Sequence, residues 1–375
     1  MKRIMAFVCA ALLMTTAAHG AELNLSAPSA VLMEKETGTV LYAKDEHAKL
    51  EPASVTKVMT LLLVMEAIDS GRLSYDDMVT GSAHACSMGG SQIWLKENEQ
   101  LSVRDMLKAV CVVSANDCAV ALGEHLCGSE EAFVEKMNQR ARELGMNDTT
   151  FKNATGLPAE GHVTSAWDIA LMSRELILNH PDIRQFTTIW MDTLRSGASS
   201  LVNTNKLVRF YDGATGLKTG STDSALYCLS ATAEREGMEL IATIMKAPTS
   251  AQRFEDAKAM LNYGFGAYTL VHVTLDEVLP TVPVTLGRQN AVQPVLSGSS
   301  ALLLPKEQAA GLEKTVQLLE QVEAPVEQGQ SLGELTVTSG GETVATVPLI
   351  AGEAVERMSW GGMLLELLRL PFVSR

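Results

Sequence analysis

The longest apolar stretch of the chain proper runs from Val58 to Ile68 (VMTLLLVMEAI), interrupted by Thr60 and Glu66. It predicts a helix that ends near Ser70-Gly71. Ahead of it, AVLMEKETGTVLYAK (30–44) reads as a hairpin, two short apolar runs flanking Glu36-Thr37-Gly38. LSVRDMLKAVCVVSANDCAVALGEHL (101–126) gives two helical stretches that meet around Ser114 to Asn116. Glu130 to Leu144 predicts an amphipathic helix, stopped by Gly145. TSAWDIALMSRELILN (164–179) predicts another, with a Thr-Ser start. From Gly216 to Lys246 the pattern becomes that of strands, with Ala225 to Ala231 and Leu240 to Met245 the best pair. SAQRFEDAKAMLNYGF (250–265) closes this region as a helix.

Past residues 264 to 275 the composition shifts to Val, Thr, Pro and Gly, in short runs such as VPVTL, ALLLP, ELTVT and ATVPLI. That predicts a small β-rich domain. The final stretch, ERMSWGGMLLELLRLPFVSR, places Trp360, Leu364, Leu367 and Leu368 on one helical face. Ser359, Gly362, Glu366 and Arg369 lie opposite. The segment is too short and too charged to span a bilayer. It is expected to lie in a membrane interface, with Trp360 and Phe372 at headgroup depth, the alternative being a helix docked on its own protein.

The first residues, MKRIMAFVCAALLMTTAAHG, have the form of a secretory leader: a basic Lys2-Arg3 end, an apolar core from Ile4 to Met14, and small residues at Ala18-His19-Gly20. The mature chain is therefore expected outside the cytoplasm. The whole chain carries a formal charge of −14, which loss of Lys2 and Arg3 makes more negative. Such acidity speaks against nucleic acid as a partner. Cys9 leaves with the leader, so Cys86, Cys111, Cys118, Cys127 and Cys228 remain, an odd number that cannot pair fully within one chain. No C-x-x-C spacing points to zinc. Buried free thiols are expected, with one disulfide among the first four left open.

The chemistry is concentrated in three short motifs. Ser54 precedes Lys57 by one helical turn at the start of the apolar helix. Serine is a common helix cap, but a first turn disfavours a cation. An amine held there, if desolvated, loses basicity and becomes able to take a hydroxyl proton. Seven histidines are present, yet none supports a G-x-S-x-G elbow, so nothing local favours a Ser-His-Asp triad. Ser114-Ala115-Asn116 and Lys218-Thr219-Gly220 complete the set. Each motif alone is weak. The three together, in the order S-x-x-K, S-x-N, K-T-G, are a strong signal.

In that set the sequence resembles the low-molecular-mass penicillin-binding proteins that act as D-alanyl-D-alanine carboxypeptidases. The likeness extends to MGGSQIWL (88–95), NATGLP (153–158), HVTSAWDIALMSREL (162–176), NTNKL (203–207) and RFEDAKAMLNYGF (253–265), and is looser after residue 275. It implies a penicillin-binding, serine β-lactamase-like α/β (α+β) catalytic domain with a largely antiparallel sheet flanked by helices, followed by a small β-sandwich. The implied division is leader 1–20, catalytic domain 21–270, β-rich domain 271–352 and amphipathic helix 353–375. The implied catalytic residues are Ser54 as nucleophile, Lys57 as its base and Ser114 as proton relay. The implied substrate-binding residues are Asn116, which also orients Lys57, with Lys218, Thr219, Gly220 and Ser221. Backbone N–H groups of Ser54 and Ser221 would hold the oxyanion. Peptidoglycan stem peptides, β-lactam antibiotics and the outer face of the cytoplasmic membrane are the implied partners, and no metal or cofactor is required.

Three positions depart from the family pattern: Ser221 replaces a bulkier residue, Leu226 a common glycine, and Thr204 an arginine found in some members. If that arginine holds carboxylate, its work falls here to Lys218, Thr219 or another group. Arg253 is a candidate, or else a partner of Glu255 or Asp256. His162 is expected to be structural. Two other readings compete. A serine β-lactamase shares the acyl-enzyme, but no E-x-E-L-N-like segment lies between Asn116 and Lys218. A catalytically weak wall-binding scaffold of the same fold is opposed by the intact motifs.

Overall fold

The computed structural model describes residues 23–275, 277–298 and 301–369, the side chains of 365–369 excepted. The leader assignment, Phe372 and the side chains of Glu366, Leu367, Leu368 and Arg369 lie outside the described set.

An antiparallel sheet forms the centre, in the order Val40–Lys44, Ser29–Glu34, Met238–Ala247, Leu226–Arg235, Ala214–Thr222. Its first strand shows why the sheet is covered on both sides. All six residues of Ser29–Glu34 are buried, and period-two alternation sends Val31 and Met33 into one core, Ala30 and Leu32 into another. The first core holds the helices Lys57–Asp69, Val103–Val112, Asn116–Cys127 and Ala166–Asn179. The second is covered by Ser250–Ala267 through Phe254, Ala257, Met260 and Leu261.

Lys57–Asp69 is the most enclosed helix. Nearly every residue from Lys57 to Ala67 is buried, so it lacks the polar face that a surface helix needs. A short 3-10 turn, Ala53–Thr56, leads into it. Four other long helices start on a side-chain cap: Ser102, Ser129, Ser165 and Thr249 each accept the backbone N–H of the third residue of their helices.

The 30–44 hairpin, the six long helices and the strands between residues 214 and 247 fall where the periodicity puts them. The hairpin Met191–Leu194 with Ser199–Val202 was not anticipated. Its register depends on Arg195, Ser196 and Gly197 all taking positive φ, which only the last advertises.

Beyond residue 268 the chain is β-structured. The strand Tyr268–His272 pairs with Ala301–Pro305, while a three-stranded and a four-stranded sheet carry two further apolar clusters around Val282, Val326 and Leu332 and around Leu335, Val337 and Leu349. A helix, Trp360–Arg369, ends the described chain, with Trp360 87% and Leu364 61% exposed. No helix among the described residues is long and apolar enough to cross a membrane.

Candidate active site

The site forms where the entrance to the buried helix meets the edge strand of the sheet. Lys57 is completely buried. Its ammonium nitrogen lies 2.9 Å from Ser54 Oγ and donates to the carbonyl of Thr155 at 2.8 Å. Burial is the main cause that holds Lys57 well below the range of a solvated lysine. The charge of Lys218 acts in the same direction, and Asp117 opposes it weakly.

The segment 153–157 clamps this turn from outside. Asn153 Oδ1 accepts from the N–H groups of Thr155 and Gly156, and its amide donates to Leu157 O, closing a local Asx turn. Thr60 donates to Ala154 O at 2.7 Å. Gly156, at φ +83°, sits so close that a Cβ there would lie 1.8 Å from the Ala53 carbonyl oxygen. Behind the turn, His162 is 2% exposed. Its Nδ1 accepts from Lys152 N–H, which leaves Nε2 to donate to Thr56 Oγ1 at 2.9 Å. Burial brings its pKa down to about 4, so the ring is neutral, and its role is structural.

Ser114 and Asn116 occupy the break between two helices. Ser114 adopts φ +63°, a strained value for a residue with a side chain, and Ala53 beside Ser54 adopts +47°. Asn116 is fixed by its N–H to Ser91 O at 2.7 Å and by Nδ2 to Gly89 O at 2.6 Å. Ser114 Oγ and Asn116 Oδ1 are buried and have no hydrogen-bond partner among the described residues. The partners of the Lys57 ammonium are thus Ser54 and Thr155, while the Asn116 amide is turned toward the 89–91 loop.

The K-T-G motif lies in the strand Ala214–Thr222, one edge of which is unpaired within the sheet. A Cβ on Gly220 would meet Pro52 O at 2.8 Å and Ser54 N at 2.9 Å, so glycine is what lets this strand approach the serine turn. Lys218 is 1% exposed and donates to Thr219 O at 3.0 Å. Burial lowers its pKa to about 7, with Cys111 opposing and the Arg253 charge assisting. Thr219 Oγ1 lies 2.7 Å from Thr204 Oγ1. Ser221 is exposed at the end of the motif.

Arg253 pairs with neither Glu255 nor Asp256. It donates to the carbonyls of Gly220 and Cys228 from inside the protein, holding two adjacent strands, while Glu255 binds Lys258 and Asp256 binds Ser26 and Ala27. Leu226 adopts φ +53°, a left-handed conformation that glycine takes most easily and that fits the glycine implied here by the family pattern. All five described cysteines are free thiols. Sequence reasoning did not single out Thr155, Asn153 or Asp117. The first two were signalled by the turn-forming N-x-x-G of NATGLP; Asp117, whose carboxylate accepts from Ile93 and Leu95 N–H, had no local signal.

A buried amine on a partly exposed serine, in a helical layer against an antiparallel sheet, defines a serine acyl-transfer enzyme of the penicillin-binding-protein fold. Residues 14–249 match the family model of D-alanyl-D-alanine carboxypeptidase (peptidase S11), and residues 272–357 match that of the penicillin-binding protein 5 C-terminal domain. The chain belongs to the D-alanyl-D-alanine carboxypeptidase family. It is 42% identical to D-alanyl-D-alanine carboxypeptidase DacF of Bacillus subtilis, over 90% of this chain and 87% of that one. Its fold matches penicillin-binding protein 5 of Haemophilus influenzae with a TM-score of 0.79, at 28% identity and coverage of 90% and 99%. Penicillin-binding protein D2 of Listeria monocytogenes, solved in an ampicillin-bound form, is 36% identical, with a TM-score of 0.60 over 65% of this chain and 100% of that one.

Proposed function

We propose that this chain is a serine D,D-carboxypeptidase that removes the terminal D-alanine from peptidoglycan pentapeptide stems. The observation that carries this reading is the contact of the wholly buried Lys57 amine with Ser54 Oγ at 2.9 Å. In the reaction, neutral Lys57 takes the Ser54 proton, and Oγ attacks the carbonyl carbon of the penultimate D-alanine. The oxyanion is held by the backbone N–H groups of Ser54 and Ser221, donors of a kind worth about 3 kcal/mol each. Ser114 relays the proton to the departing amine of D-alanine. Asn116 holds the substrate amide with its unpaired Oδ1, and Lys218 and Thr219 hold the terminal carboxylate. Gly220 seats the strand against the Ser54 turn, and the peptide backbone adds along the strand's free edge. Water then attacks the acyl-enzyme, releasing the shortened stem and restoring Ser54.

A β-lactam would acylate Ser54 by the same attack, in keeping with the ampicillin-bound relative. The two matched family models support a division into a catalytic domain, 21–270, and a β-rich domain, 271–352. Residues 1–20 would export the chain. Residues 353–375 would hold it on the outer face of the cytoplasmic membrane, a reading supported by the exposed Trp360 and Leu364.

The test is release of free D-alanine from a peptide ending in D-Ala-D-Ala, with purified residues 21–375 and a Ser54→Ala control. Release that vanishes in the variant is expected. Penicillin labelling without release would move the reading to another acyl acceptor or substrate. Absence of both would leave the scaffold reading.

A further inference from the structure

Between two buried asparagines, one exposed threonine points at the substrate strand. Asn203 Nδ2 donates to Ile189 O at 2.7 Å, and its Oδ1 accepts from Asn205 N–H at 2.8 Å. Asn205 Nδ2 donates to Gly216 O at 2.8 Å, in the K-T-G strand itself. Thr204 N–H donates to Val112 O at 3.0 Å, two residues before Ser114. Thus three separate attachments fix the backbone on both sides of Thr204. Alternation buries Asn203 and Asn205 and leaves Thr204 outward, its Oγ1 2.7 Å from Thr219 Oγ1.

We propose that Thr204 is a positioning residue for the terminal carboxylate of the substrate, donating its hydroxyl proton to Thr219 and so aiming the Thr219 proton at the anion. The proposal rests on the carboxypeptidase reading of the site. A carboxylate only accepts, whereas each threonine hydroxyl has one proton and two lone pairs. If Thr219 donated to Thr204, Thr219 itself would have no proton left for the anion. With Thr204 as donor, the Thr219 proton is free and its hydrogen bond is strengthened by the one it accepts. A neutral relay of this kind suits a subsite whose cation, Lys218, lies deeper in the protein and already donates to Thr219 O.

The experiment compares the wild type with Thr204→Val, which keeps the branched shape and removes the hydroxyl, and Thr204→Ser, which keeps the hydroxyl. Three readouts are taken: KM and kcat for a peptide ending in D-Ala-D-Ala, acylation by benzylpenicillin, which also carries a carboxylate, and hydrolysis of the resulting penicilloyl-enzyme. In Thr204→Val, KM should rise and penicillin acylation should slow by about tenfold each, the scale of one hydrogen bond to a charged group. In that variant kcat and hydrolysis of the penicilloyl-enzyme should stay within about twofold, because the relay acts on binding. Thr204→Ser should recover most of the loss. A Thr204→Val enzyme equal to wild type, a Thr204→Ser enzyme as impaired as Thr204→Val, or a loss confined to kcat would overturn the relay. If wild type is labelled by penicillin but releases no D-alanine, the carboxypeptidase reading fails, and penicillin acylation still decides the role of Thr204.

Discussion

The carbonyl oxygen of Thr155 and the ammonium nitrogen of Lys57 lie 2.8 Å apart, although 98 residues separate them. A carbonyl gives the amine a hydrogen-bond acceptor without giving it a counter-charge. Lys57 is therefore fixed beside Ser54 while burial keeps its proton loosely held. A carboxylate at that point would have restored the proton affinity of Lys57.

The two lysines predict the pH dependence. In the proposed mechanism acylation needs neutral Lys57, so its rate should rise with pH until Lys57 is deprotonated. The proposed carboxylate binding needs charged Lys218, whose pKa burial lowers to about 7, so it should weaken above that pH. We expect kcat/KM to fall on the alkaline side of about pH 7, approaching tenfold per unit if this charge dominates binding. In kcat the same limb should move upward, since a bound carboxylate stabilises the lysine cation. A kcat/KM profile flat to pH 9 would remove Lys218 from the carboxylate subsite.

Gly156→Ala should be severe. Its Cβ would fall 1.8 Å from Ala53 O, and its φ of +83° already excludes most side chains. The clash is with backbone one residue from Ser54, so the serine turn must move. Penicillin acylation should drop by more than about a hundredfold, because a shift near 1 Å is enough to cost that. Acylation at near wild-type rate would show that the 153–157 clamp is dispensable.

His162 should contribute to acid lability. Its folded pKa of about 4 lies below the ordinary value of 6.5, so the unfolded chain binds the proton more tightly. Stability is then lost as pH falls from about 6.5 toward 4, by roughly 3 kcal/mol in total. His162→Gln should lower stability at pH 7 through loss of the Thr56 contact, yet flatten that acid decline. Urea midpoints between pH 4 and 7 for both proteins test this. An equal slope in the two would assign the acid lability elsewhere.

Local patterns made much of this legible. Periodicity marked the hairpin and the long helices because their apolar faces repeat at fixed spacing. The hairpin 191–202 escaped because its turn is made by Arg195 and Ser196, residues that rarely signal positive φ. The β-rich C-terminal part showed in composition, but its pairing, such as Tyr268–His272 with Ala301–Pro305, joins segments that carry no mark of one another.

The sequence by itself determined the identity and order of the three motifs: Ser54 with Lys57, Ser114 with Asn116, and Lys218 with Thr219. Spacing along one turn is enough to bring an amine to a hydroxyl. Tertiary structure alone decided what those groups can do. It buried Lys57 and Lys218, supplied Thr155 as acceptor, set Gly220 against Ser54, and joined Thr204 to Thr219. Basicity depends on solvent exclusion and on neighbours brought from far along the chain, and no short motif encodes either.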